Sequence, residues 1–196
     1  MPEICAIILA AGKSERMGKN KMLLPFRGKS MIRTVIDNVM QSGIEHIRVV
    51  LGAYREDIMD AISDLPVESC YNANYEQGMY TSVQCGFRNL PATADAALLF
   101  LGDQPMVPGE VARQIIRAYQ KSEKGILIPV HKGKRGHPVV IGREYANLIE
   151  TSVPANGLHT LFTIHKNDIQ EVEIDTPVIL RDIDTEYDYN EEIKLN

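Results

Sequence analysis

Short apolar runs alternate along this chain with stretches of helical period, and that alternation restricts the fold more than any other feature of the sequence. Cys5-Ala-Ile-Ile-Leu-Ala10, His46-Ile-Arg-Val-Val-Leu51 and Ala96-Ala-Leu-Leu-Phe-Leu101 are dominated by apolar residues, as strands covered on both faces are. Between the first two, Ile32, Val35, Ile36 and Val39 recur at i, i+3, i+4, i+7, which marks one face of a helix. Ser42-Gly43 then stops that helix. The same reading predicts helices over 55–63 and 79–88, and another from Pro108 through Tyr119. It predicts further strands over 67–71, 126–130, 137–141 and 169–174, with a polar loop over 132–136. Short helices near 144–149 and 158–164 and a terminal helix after Asp184 complete the pattern. Strand–helix alternation of this kind implies an α/β fold, a mostly parallel sheet with helices on both faces. Ligands then bind beyond the carboxyl ends of the strands, so function is expected just after Ala10, Tyr71 and Leu101.

Length and charge narrow the partners. At 196 residues without a linker, repeat or low-complexity segment, one domain over 1–196 is expected. The balance of 21 Lys+Arg against 26 Asp+Glu gives a net charge of −5, which argues against a broad nucleic-acid-binding face. It says little about one small polyanion, because local cations can override net charge. Cys5, Cys70 and Cys85 form no CxxC pair and suggest neither a zinc site nor a disulfide framework. The apolar start over 4–11 is too short to span a bilayer and lacks a basic leader segment. A cytoplasmic location without membrane contact is therefore expected.

The strongest functional segment follows the first strand: Leu9-Ala-Ala-Gly-Lys-Ser-Glu-Arg-Met-Gly18, then Lys19-Asn-Lys-Met-Leu-Leu-Pro25. Ala10, Ala11 and Gly12 let a ligand approach the backbone, whose N–H groups can cradle an anion. Arg16 and Lys21 add positive charge, and together these are the parts of a triphosphate loop. The two better-known phosphate loops do not match. Gly12 and Gly18 are one residue too far apart for a P-loop, and Asn20 follows Lys19 where Ser or Thr is required. Ser14 stands where a dinucleotide fingerprint needs glycine.

Leu98-Leu-Phe-Leu-Gly-Asp-Gln-Pro105 puts a carboxylate at the end of a buried strand. Two roles are open to Asp103: ligating Mg²⁺, which favours one or two carboxylates plus substrate phosphates, or capping the helix near Pro108. In Arg181-Asp-Ile-Asp-Thr-Glu-Tyr-Asp188, Asp182 or Asp184 could complete such a metal site, while Thr185 suits a helix cap. Ser82, in Gly78-Met-Tyr-Thr-Ser-Val83, can contact a base or phosphate at a helix start. His137 lies between a basic loop and a strand. His46, His131, His159 and His165 show no mutual ligand spacing, and no Ser–His–Asp or Cys–His arrangement supports covalent catalysis.

Taken in order, LAAGKSERMG, KMLLPFRGKSMI, GMYTSV, LGDQP, GHPV and DIDTEYDY resemble the signature of MobA-like NTP transferases. Within that family they are most similar to the molybdenum cofactor cytidylyltransferase branch. The resemblance spans nearly the whole chain. It implies a single Rossmann-type domain of the nucleotide-diphospho-sugar transferase kind that transfers a nucleotide monophosphate and releases pyrophosphate. By matching position, Leu9, Ala10, Ala11 and Gly12 would line the base and ribose, with Ser82 near the base. Arg16 and Lys21 would hold the triphosphate, Asp103 would bind Mg²⁺, and Asp184 would share the metal. The Ala-Ala-Gly form favours CTP over GTP. The implied acceptor is phosphorylated, molybdopterin above all, with a molybdoenzyme apoprotein as a further partner.

One departure concerns the acceptor. Family members commonly carry Gly-Ala-Arg where this chain reads Asn156-Gly-Leu-His-Thr-Leu161, so Leu158 and His159 replace a permanent guanidinium. His137 and His159 are the candidate acceptor contacts. Two alternatives stand beside this reading: a guanylyl- or sugar-1-phosphate nucleotidyltransferase, and a non-catalytic nucleotide-binding assembly factor for a molybdenum hydroxylase. Retention of Arg16, Lys21, Asp103 and Asp184 together argues against the last.

Overall fold

The computed structural model describes residues 2–152 and 157–194. The chain opens with β1 (Ile4–Ala10), a small hairpin of β2 (Pro25–Phe26) and β3 (Lys29–Ser30), and α1 (Met31–Gln41). It continues through β4 (His46–Leu51), α2 (Arg55–Ile62), β5 (Glu68–Tyr71), α3 (Met79–Arg88), β6 (Ala96–Leu101) and α4 (Gly109–Tyr119). Then come β7 (Ile126–His131), β8 (Lys134–Arg135), β9 (Val139–Gly142), α5 (Ala146–Thr151), α6 (Leu158–Ile164), β10 (Ile169–Glu173) and α7 (Glu186–Lys194).

The main sheet has the order β10-β7-β9-β6-β1-β4-β5, with β8 paired to β7. Its centre is parallel: β1 lies between β4 and β6, with Ile8 opposite Val49 on one side and Phe100 on the other. β9 runs antiparallel to β6 and β7, so the sheet is mixed. The apolar runs of β1, β4 and β6 are continuous because the sheet is covered twice. Ala6, Ile8 and Ala10 pack with Ile32, Val35 and Ile36 of α1 and Ile115 of α4. Cys5, Ile7, Leu9 and Ala11 pack with Val83, Cys85 and Phe87 of α3 and with Ile149 and Leu161. This is the two-residue alternation of a strand written across two core layers.

Several expectations shift in detail. The strand expected from His137 begins at Val139, because the His137 N–H is drawn away to the Ile179 carbonyl at 3.0 Å. The loop over 132–136 contains the two-residue strand β8. Pro108 is the cap residue of α4 rather than its first helical residue. Cys5, Cys70 and Cys85 are free thiols, although Cys70 Sγ and Cys85 Sγ come within 3.5 Å. No described helix is long and apolar enough to cross a membrane.

Candidate active site

The carboxyl ends of β1 and β6 meet through a close backbone approach. The Gly102 N–H donates to the Leu9 carbonyl at 2.9 Å, and a Cβ at Gly102 would lie 2.8 Å from that oxygen. Only glycine fits there without displacement, and it delivers Asp103 beside the loop that follows β1. The far end of the chain joins the same point, where the Ile183 N–H donates to the Asp103 carbonyl at 2.9 Å. One strand end, one loop and one distant segment thus converge.

Lys21 occupies the junction. It is 8% exposed, and its Nζ donates to Asp103 Oδ2 at 2.7 Å, Asp184 Oδ1 at 2.9 Å and the Ile183 carbonyl at 3.0 Å. Burial works against the ammonium charge, but Asp103 and then Asp184 outweigh it and hold Lys21 above the ordinary lysine range. Arg16 reaches Asp184 Oδ2 at 2.9 Å from the solvent side, with its side chain 68% exposed. Burial opposes ionisation of Asp184, yet Lys21 and Arg16 prevail and hold it below the usual carboxylate range. Asp182 lines the same cleft; burial first, then the negative charges of Asp184 and Asp103, push its carboxyl up.

The roles left open for the two carboxylates separate here. α4 begins without a side-chain cap, and the Asp103 carboxylate is engaged by Lys21 instead. At α7, Thr185 Oγ1 accepts from the Asp188 N–H at 3.2 Å while Asp188 Oδ2 accepts from the Thr185 N–H at 2.8 Å, a reciprocal cap. Thr185 and Asp188 serve the helix, and the Asp184 carboxylate is left for the cleft.

The cleft has a volume of about 500 Å³ and is lined by Leu9, Ala11, Gly12, Arg16, Lys21, Ser82, Asp103 and Asp184. These were all singled out by sequence. Ala10 is the exception: strand alternation turns its side chain into the opposite core layer, where it is 1% exposed. Arg16 and Lys21, expected to face a triphosphate, are in this structure paired with the carboxylates. Sequence reasoning missed Lys13, whose Nζ meets Glu76 Oε1 at 2.6 Å across the cleft and lies 6.0 Å above the Tyr75 ring. It also missed Asn72, 4% exposed, which donates to the Thr81 and Ser82 hydroxyls. Only segments brought together by the fold reveal these partners.

A second cleft of about 440 Å³ shares Leu9, Gly78, Met79 and Leu101 with the first and continues past Tyr80, Leu158, Phe162, His137 and His159. Its lining is largely apolar. Burial pushes His137 down to about 4, against a smaller opposing pull from Asp103, so its imidazole is neutral at ordinary pH. His159 lies at the exposed start of α6. Asn156, which opens the departing segment, lies outside the described residues.

Residues 21, 103 and 184 also test the fit of a divalent cation. Two carboxylates converge on one cationic point, held by the Lys21 ammonium at 2.7 and 2.9 Å. Among the described residues no group of three or more His, Cys, Asp and Glu side chains forms a metal site. Two hard oxygen donors without a protein cage are what Mg²⁺ accepts when substrate phosphates and water complete its shell.

Comparison with known proteins agrees with this architecture. A family model described as the MobA-like NTP transferase domain matches residues 6–170. The molybdenum cofactor cytidylyltransferase of Escherichia coli K12 is 29% identical over 191 residues, covering 96% of this chain and 95% of that protein. A solved structure from Mycobacterium tuberculosis H37Rv superposes with a TM-score of 0.87 at 24% identity, over 98% of each chain. Its manganese complex gives 0.81 at 23% identity, again over 98% of each. A nucleotidyl transferase from Methanothermobacter gives 0.83 at 23% identity, over 98% of this chain and 96% of that one.

Proposed function

This chain belongs to the MobA-like NTP transferase family, a family of nucleotidyltransferases, and from that premise we propose that it moves CMP from CTP onto the terminal phosphate of molybdopterin, with Mg²⁺ and release of pyrophosphate. The observation that carries the reading is the Lys21–Asp103–Asp184 cluster, which lines the first cleft. CTP rather than GTP is favoured by Ala10-Ala11-Gly12 and by the cytidylyltransferase name of the Escherichia coli relative.

An acceptor phosphate is already anionic, so no protein nucleophile or general base is required. Its oxygen attacks the α-phosphorus in line, a new P–O bond forms, and the bond to the β-phosphate bridge breaks with the electron pair leaving on pyrophosphate. Leu9, Ala11 and Gly12 would hold the nucleoside against the sheet. Lys21 and Arg16 would exchange their carboxylate partners for the triphosphate and neutralise the charge that grows on pyrophosphate. Asp103 and Asp184, released from Lys21, would hold Mg²⁺, which supplies charge stabilisation on the transferring and leaving oxygens. Orientation of two bound phosphates accounts for the remaining rate enhancement.

On the acceptor side, the apolar walls formed by Met79, Tyr80 and Phe162 suit a flat heterocycle. His137, neutral at ordinary pH, and His159 offer hydrogen bonds there in place of a guanidinium. A molybdoenzyme apoprotein would take the finished product. The test is pyrophosphate release from CTP, GTP and UTP, each with purified molybdopterin and Mg²⁺. Release with CTP well above the other two is expected; release with GTP or with sugar phosphates alone would overturn the cytidylyl reading.

A further inference from the structure

β5 is the outermost strand at one end of the main sheet, and Cys70 packs from it into the core layer that holds Cys85 of α3. Cys70 Sγ and Cys85 Sγ share a hydrogen bond at 3.5 Å, and the Cys70 thiol also lies 4.0 Å from the Cys85 carbonyl. Both are free thiols. A disulfide holds its sulfurs about 2.05 Å apart, so an approach of roughly 1.5 Å would join them.

The two thiols differ in chemistry. The hydrogen bond from Cys70 pulls the Cys85 thiol down to about 7 against its burial, helped by the charges of Arg88 and Arg48. The same contact, and then burial, push Cys70 up. A sizeable fraction of Cys85 is therefore thiolate near neutral pH, and the thiolate is the form that oxidants meet. Cys85 is 8% exposed, but Cys70 beside it is half-buried on an edge strand where Glu68, Ser69 and Tyr71 are exposed. The third thiol is an internal control: Cys5 is 1% exposed, and burial pushes it up to about 11.

We propose that Cys70 and Cys85 form a redox-modification site, a resting dithiol that hydrogen peroxide converts to an intramolecular disulfide. The Cys85 thiolate attacks one peroxide oxygen and the O–O bond breaks. With one proton taken up, the products are a Cys85 sulfenic acid and water. The Cys70 sulfur then gives up its proton and attacks the sulfenic sulfur. An S–S bond forms, and the departing hydroxide takes that proton as a second water. In sum, two thiols lose two electrons and two protons, and one hydrogen peroxide becomes two waters. A dithiol reductant reverses the step by thiol–disulfide exchange.

The bond would close a ring across 15 positions of sequence. Inside that ring lie Tyr75, Glu76, Gly78, Met79 and Ser82, which together form one wall of the first cleft. Oxidation at the sheet edge thus restrains a wall of the candidate active site. The inference does not depend on which nucleotide that site takes.

The test is treatment of the full chain with hydrogen peroxide at neutral pH, read by thiol counting, peptide mapping by mass spectrometry and thermal denaturation. Wild type and Cys5→Ser are each expected to lose two thiols and to yield a peptide pair joined at Cys70 and Cys85, which dithiothreitol separates. Cys70→Ser should stop at a Cys85 sulfenic acid, trapped with dimedone, and Cys85→Ser should keep Cys70 reduced. Oxidised wild type should melt several degrees above the reduced protein, as closure of a loop of about 15 residues implies. The wild-type map stands whether or not the serine variants fold. Three thiols that survive a dose able to oxidise the urea-unfolded chain would overturn the proposal. So would a bond that contains Cys5 or joins two chains. A mapped Cys70–Cys85 bond that lowers Tm would overturn the restraint on the cleft wall.

Discussion

Lys21 donates to Asp103 at 2.7 Å across 82 positions of sequence, and the same ammonium holds Asp184 at 2.9 Å. This one cation is the common counter-charge of two carboxylates that would otherwise face each other half-buried. On the proposed function, nucleotide phosphates would draw Lys21 away and leave Asp103 and Asp184 to hold a divalent cation, which would supply charge stabilisation there.

Lys21→Met should therefore have two effects. Breaking a partly buried ion pair leaves uncompensated charge, and a loss of roughly 1–3 kcal/mol is expected, below the 3–5 of a fully buried pair. That corresponds to a fall in Tm of several degrees for a chain of this size. Turnover should fall about 10²-fold or more with the loss of a phosphate clamp. Thermal denaturation with and without Mg²⁺ checks the first effect, since Mg²⁺ should recover part of the lost Tm in the variant and little in wild type.

Asp103→Ala should abolish turnover and leave the fold intact, because the carboxylate is engaged by a side chain and caps no helix. Steady-state kinetics with circular dichroism separates the two effects. Near-normal activity would remove Asp103 from the metal role.

Glycines at the two loop positions should behave oppositely. Gly102→Ala places a Cβ 2.8 Å from the Leu9 carbonyl and 3.0 Å from Met22 Sδ; the sulfur can move but the strand carbonyl cannot. A cost of about 1–3 kcal/mol in urea denaturation is expected, with displacement of Asp103. Gly12→Ala meets nothing within 4 Å, so stability should hold while the nucleotide KM rises because the methyl enters the cleft.

His137 gives the pH dependence. Its ordinary value of 6.5 is pushed down to about 4 by burial, so between those values the unfolded chain binds the proton and the native chain resists it. Stability then rises with pH across this window and is flat above it. Wild type should lose on the order of 1 kcal/mol between pH 6.5 and 4.5, after discounting for the partial contact of the ring with solvent. His137→Gln should lose less over the same range. Parallel melting curves across the pH series would contradict the assignment.

Much of this was legible in the sequence, for a physical reason. β1, β4 and β6 are covered on both faces, so their runs are continuous, and the residues just beyond them, Arg16, Lys21 and Asp103, fall where parallel sheets bind ligands. β8 and the β2–β3 hairpin were not legible, because two-residue ladders carry no period. Nor was the direction of β9, which depends on how the chain returns after β8. The Lys13–Glu76 bridge exists only because the loops after β1 and β5 meet, and the Asn72–Ser82 pair because the turn after β5 folds back onto α3. The direction of the Ala10 side chain, into the core layer that holds Ile32 and Val35, was not legible because its motif position does not reveal which face the strand turns it to.

The most direct measurement follows the label in [α-³²P]CTP, incubated with molybdopterin and Mg²⁺, for wild type and Asp103→Ala. The account predicts that wild type carries the label into a molybdopterin–CMP product, one equivalent for each pyrophosphate released, and that the variant leaves it in CTP. Label that remains in CTP with wild-type protein, despite measurable CTP binding, would contradict it.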